Sequence, residues 1–151
     1  MTAEDKLKTL NLELPPPPQP AGAYTRAVQS GDLIFVSGQL PLVDGEIQYA
    51  GTLGDNLDIV AGYAAARLCA LNALSILKAE TGNLDSVSII RLGGYVASAA
   101  HFYDQAKVIN GASDLMAEIL GDNGVHARLA VGAPSLPLGA AVELEVIAAT
   151  G

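Results

Sequence analysis

The feature that most constrains this chain is a strict two-residue alternation near its end, where Glu143 and Glu145 alternate with Val142, Leu144 and Val146 in "AVELEV". A helix would scatter these residues around its circumference, whereas an extended strand sends successive side chains to opposite faces. The segment therefore reads as a strand with one apolar and one acidic face. "VHARLAV" follows the same rule: His126, Arg128 and Ala130 share one face, and Val125, Ala127, Leu129 and Val131 share the other. Because burying an unpaired charge is costly, Arg128 and the two glutamates must be paired, exposed by the pleat, or kept for chemistry.

Upstream, the β-rich runs "YTRAVQ" and "LIFVS" flank "SGD", whose glycine supplies the backbone angle of a tight hairpin. "GQLPLVDGEIQYAG" is turn-rich, with a short strand around Ile47. In "DNLDIVAGYAAARLCALNALSILKAE" the apolar residues Val60, Ala64, Leu68, Leu71 and Leu74 recur in steps of three and four, which predicts a helix stopped by Gly82-Asn83. Its alanines let it lie close to a sheet. "DSVSIIRLGGYVAS" reads as a strand. A second helical pattern runs through Phe102, Ala106, Ile109, Ala112, Met116 and Ile119, weakened or bent by Asn110-Gly111 at its centre.

The order ββ-α-β-α-ββ predicts an α+β fold, two main helices on one face of a single mixed sheet. The other face then needs cover, which a symmetric oligomer would supply. Residues 1–20 read as an arm, a short helix up to Leu10 followed by the polyproline strap "ELPPPPQP", and residues 21–151 as the single domain. The strap is expected to lie on its own subunit rather than to seek a partner's aromatic groove.

A chain of 151 residues can bury roughly two thirds of its unfolded surface without staples. The single Cys69 excludes an internal disulfide; with only His101 and His126 as further soft ligands it gives no zinc spacing, so no metal is expected. Cys69 reads as a buried structural thiol rather than a nucleophile. Gly93-Gly94 fits no phosphate loop, and no cofactor is expected. A net charge of −8 argues against nucleic acid as a partner. "MTAEDKLKTL" lacks a basic start followed by an apolar run, and no other segment reads as long and apolar enough to span a bilayer, so a soluble, cytoplasmic protein is expected. Half the residues are apolar, more than a small monomer hides easily, which points to subunit interfaces.

If the two charged strands lie close, or meet across a subunit boundary, one guanidinium and two carboxylates could line a cleft. The planar fork of Arg128 suits a small carboxylate, and a nearby Glu143 with a raised pKa could orient or deprotonate water. The plainer possibility, that Arg128 and Glu143 satisfy each other as a structural ion pair, is the one the pattern alone favours. Ser37 and Gly38 in "FVSGQLP" stand where a strand ends, as ligand contacts or merely as a turn; Tyr24 could cap a pocket or pack at a sheet edge. His126 reads as hydrogen-bonded structure rather than a proton shuttle.

Taken together, "AGAYTRAV", "LIFVSGQLPL" and "HARLAVGAPSLPLGAAVELEVIA" resemble the reactive intermediate deaminase (Rid) family, also called YjgF-like or endoribonuclease L-PSP-like. The resemblance runs from about Ala21 to the C-terminus, and the longer N-terminus, "NGASDLM" and "HARLAVG" look like a longer bacterial subfamily. It implies a chorismate-mutase-like fold and a homotrimer with clefts between subunits. It also implies cofactor-free hydrolysis of small 2-imino acids or their enamines, such as 2-aminoacrylate or 2-iminobutanoate, to 2-keto acids and ammonia. By the same resemblance Arg128 would bind the substrate carboxylate and Glu143 would position the attacking water. Tyr24, Ser37 and Gly38 would wall the cleft, and Asn110 would match a pocket asparagine. Ala130 and Leu129 stand where the family often carries small polar residues, and His126 replaces the proline of "PAR"; the pocket is drier, open either to turnover or to binding of a small carboxylate without it. The ribonuclease label sits poorly with the acidic composition.

Overall fold

The protein is described by a computed structural model covering residues 1–19 and 22–151. Among the described residues three α-helices, α1 (Ala3–Thr9), α2 (Ile59–Thr81) and α3 (Gln105–Leu120), accompany seven strands. These are β1 (Ala27–Ser30), β2 (Leu33–Gln39), β3 (Leu42–Val43), β4 (Glu46–Ile47), β5 (Val87–Ala97), β6 (Ala127–Ala133) and β7 (Val142–Thr150). Five strands form one sheet in the order β1-β2-β7-β5-β6, and β3-β4 form a separate small hairpin. Only β5-β6 is parallel, because the crossover through α3 returns the chain in the same direction; the other pairs are antiparallel. The fold is thus α+β with a mixed sheet and two main helices on one face, as the element order predicts.

The hairpin β1-β2 turns at Gly31-Asp32, where Gly31 takes a φ of 60°. Helix α2 begins at Asp58, whose carboxylate accepts from the Ala61 N–H, and ends at left-handed Gly82. Its most deeply buried face is not the predicted stripe. Of that stripe only Leu74 is fully buried; Val60 is 77% exposed, and Ala64, Leu68 and Leu71 are only half-buried. Ala65, Ala66, Cys69, Ala70 and Ala73 are fully buried instead, because small side chains allow the backbone closest to its neighbours. At 23 residues α2 is also long and apolar enough to cross a membrane, contrary to the sequence expectation, but 56% of its most apolar window is buried within the fold. Asn110-Gly111 does not break α3, which runs unbroken through it. The glycine serves the helix crossing: a Cβ there would stand 2.0 Å from the Tyr63 carbonyl oxygen of α2.

The N-terminal helix carries a reciprocal Thr2/Asp5 cap. Ala3 and Leu7 enter the same core as the main helices, Glu4 pairs with Lys78, and the Ser75 hydroxyl donates to the Pro15 carbonyl. On the face of the sheet away from the helices, Val28, Leu33, Phe35 and Leu129 are between 38% and 55% exposed. One chain leaves that apolar face uncovered.

Candidate functional site

Strand β6 is a sheet edge, and its parallel register sets Arg128 beside Leu92 of β5. Leu92 is fully buried beneath the helices, so Arg128 emerges on the helical side, next to the flank of α3. There its Nη1 donates to Asn110 Oδ1 at 2.8 Å and to Ser113 Oγ at 3.2 Å. Asn110 and Ser113 are three residues apart, so they share one side of α3. Ala130 lies on the same side of β6, packed against the core.

What sets Arg128 apart is the company it keeps. Among the described residues Arg26, Arg67 and Arg91 each hold a glutamate, Glu80, Glu118 and Glu145, at 2.8, 3.0 and 2.8 Å. Arg128 is steadied only by neutral oxygens, so its charge is oriented without being cancelled. Its Nη2 and Nε make no hydrogen bond within the described residues.

Glu143 belongs to a second group. It registers with Tyr95, three residues from Leu92 along β5, and three steps along a strand reverse the face. Arg128 and Glu143 therefore lie on opposite faces of the sheet, and the anticipated ion pair between them does not exist within one chain. The cause is strand order: β5 runs between β6 and β7. Glu145, on the same face as Glu143, is the glutamate that finds an arginine, Arg91. Glu143 makes no side-chain hydrogen bond or ion pair among the described residues, and burial raises its carboxyl pKa above the ordinary 4.5.

Beside Glu143 the strand β2 bulges, with Ser37 and Gly38 together opposing the single Glu145. Gly38 lets the carboxylate come close, since a Cβ there would stand 2.8 Å from Glu143 Oε1. The Ser37 hydroxyl donates to the Thr25 carbonyl at 2.6 Å, tying the segment after Tyr24 to the bulge. Tyr24 itself is 60% exposed and precedes β1, at the sheet edge opposite β6. The residues thus fall into two half-sites: Arg128 with Asn110 and Ala130 at one edge, Glu143 with Gly38 and Ser37 on the far face near Tyr24. Cys69 is in neither. Its thiol faces the Val142 carbonyl, and burial pushes its pKa well above the usual range, as befits structure rather than attack.

Ser113 escaped the sequence reading, although its place three residues after Asn110 was the available signal. His126 precedes β6 instead of lying in it; its Nε2 is 2.9 Å from Ser113 Oγ and its Nδ1 2.6 Å from the Gly124 carbonyl.

Residues 4–149 match the family model described as "YjgF/chorismate mutase-like, putative endoribonuclease". The chain belongs to the YjgF family. The chain is similar to Protein TCP17 of Trypanosoma cruzi, 43% identical over 93% of this chain and 89% of TCP17. A crystal structure of the protein Atu1372 of Agrobacterium tumefaciens superposes with a TM-score of 0.91 at 42% identity, covering 99% of this chain and 92% of that one. A structure from Shewanella oneidensis described as a putative endoribonuclease superposes at 0.95 with 35% identity and 99% coverage of both. The YjgF match starts at residue 4, so it takes in the N-terminal helix and strap as well as the segments that carried the resemblance.

Proposed function

We propose that the protein is an enamine/imine deaminase that hydrolyses small 2-imino acids to 2-keto acids and ammonia. The observation that carries this reading is the unneutralised guanidinium of Arg128, held in place by Asn110 and Ser113 with two nitrogens to spare. A planar fork of that kind takes a carboxylate through two parallel hydrogen bonds. Membership of the YjgF family and the raised pKa of Glu143 support the same chemistry. Water adds to the C=N carbon of the protonated imine, its proton passes to Glu143, and Glu143 returns that proton to the carbinolamine nitrogen, which leaves as ammonia while the hydroxyl releases its proton and closes to the ketone. No cofactor enters.

Because the two half-sites face opposite sides of one sheet, the reading requires a second copy, whose Glu143 face would meet the Arg128 edge of the first. A homotrimer closes such contacts in a ring and covers the apolar face around Phe35. The same separation favours a second reading, in which the Arg128 half-site binds a 2-keto or 2-imino carboxylate without turning it over. The two readings part in a coupled assay with a threonine dehydratase, run beside a measurement of mass in solution. The deaminase speeds keto-acid release, and Arg128→Ala abolishes the acceleration. If 2-ketobutyrate binds while the imine's lifetime is unchanged, the binding protein is the answer.

A further inference from the structure

The hydrogen bonds behind Arg128 continue beyond its immediate partners. Gly124 offers His126 Nδ1 a carbonyl oxygen, which can only accept, so Nδ1 carries the proton. In the neutral ring Nε2 is then an acceptor, and the Ser113 hydroxyl donates to it. With its hydrogen so committed, Ser113 Oγ turns its lone pairs toward Arg128 Nη1. The direction of every donor in the chain follows from the first: Arg128 to Ser113, Ser113 to His126, His126 to Gly124.

We infer that Ser113 and His126 are positioning residues for Arg128, a relay anchored on the backbone carbonyl of Gly124 that holds the guanidinium with its Nη2 and Nε turned to a bound carboxylate. The inference rests on the proposed carboxylate-binding role of Arg128 and adds two residues that touch no substrate. Without the histidine acceptor the serine hydroxyl is free to rotate and to compete for the ligand or for Asn110. Without the hydroxyl, Nη1 keeps Asn110 alone, and the side chain of an exposed arginine regains rotamers that must be frozen on binding. His126 is partly buried against this site, so it is placed to set the geometry and not to meet the ligand.

The test uses the full chain, with 2-ketobutyrate as the binding probe and the dehydratase-coupled imine as the kinetic one. Ser113→Ala and His126→Phe should each weaken 2-ketobutyrate binding by roughly three- to tenfold, the range of one net hydrogen bond. KM for the imine should rise by the same factor while kcat stays within about twofold, since a frozen fork serves ground state and transition state alike. His126→Gln, whose side-chain oxygen can reach the place of Nε2, should restore most of the affinity. Long-range proton–nitrogen spectra of the wild type should show the Nδ1–H tautomer for His126. Unchanged binding in Ser113→Ala and His126→Phe, a His126→Gln variant as impaired as His126→Phe, or the Nε2–H tautomer would each overturn the relay. Should the wild type bind 2-ketobutyrate without turnover, the deaminase reading fails and the binding series still decides the relay.

Discussion

Gly38→Ala isolates the placement of Glu143 from its identity. A methyl group there would stand 2.8 Å from Glu143 Oε1 and 3.2 Å from Cδ, and ordinary contact begins near 3.4 Å. The carboxylate must therefore withdraw by at least about 0.6 Å, and it can, being the free end of a flexible side chain. Misplacing a catalytic group by about 1 Å costs on the order of a hundredfold in rate, so kcat for imine hydrolysis should fall by roughly ten- to a hundredfold. Folding should survive. Gly38 has no positive φ, so alanine meets no backbone strain and restricts the unfolded chain by about 0.4–1 kcal/mol in the protein's favour. The assay is coupled keto-acid release at saturating imine, with a thermal melt and a solution mass alongside. A kcat equal to wild type in a variant of unchanged mass and melting temperature would refute the placement of water by Glu143.

Three further outcomes follow from the same structure. Gly111→Ala forces a methyl against the Tyr63 carbonyl at 2.0 Å, so the α2-α3 crossing must open; urea unfolding should show a loss of about 3 kcal/mol or more, and a loss below about 1 would contradict that crossing. The pKa of Glu143 is raised in the folded chain, so ionising it opposes folding: stability falls as pH rises from the unfolded value near 4.5 through the folded one. Glu143→Gln should remove that loss and melt higher than wild type at neutral pH, while abolishing turnover; the wild-type rate should drop on the acid side at a pH above 4.5. Cys69, fully buried with its pKa pushed up, should react with a thiol reagent only after denaturation, and rapid labelling of the native protein would show that the core is not closed as described.

How much of this was legible in the chain depends on the range of each interaction. The hairpin at Gly31, the stop of α2 at Gly82, and the alternation of β7 all rest on contacts within a few residues, and each is present. Arg128 and Asn110, singled out separately, do meet. Ser113 went unnoticed because a serine on a helix flank acquires its role only when a particular strand docks beside it. The buried face of α2 misled for a related reason: periodicity weighs side-chain bulk, whereas the closest packing rewards its absence along Ala65, Ala66, Ala70 and Ala73.

The residues alone settled the main strands and helices, and which side chains share a strand face with Arg128 and with Glu143, since pleat and pitch are properties of the local backbone. Only the tertiary structure decided that these faces point opposite ways, because strand order is set by pairings between distant segments, and it is β5, threaded between β6 and β7, that turns an expected ion pair into two separated half-sites.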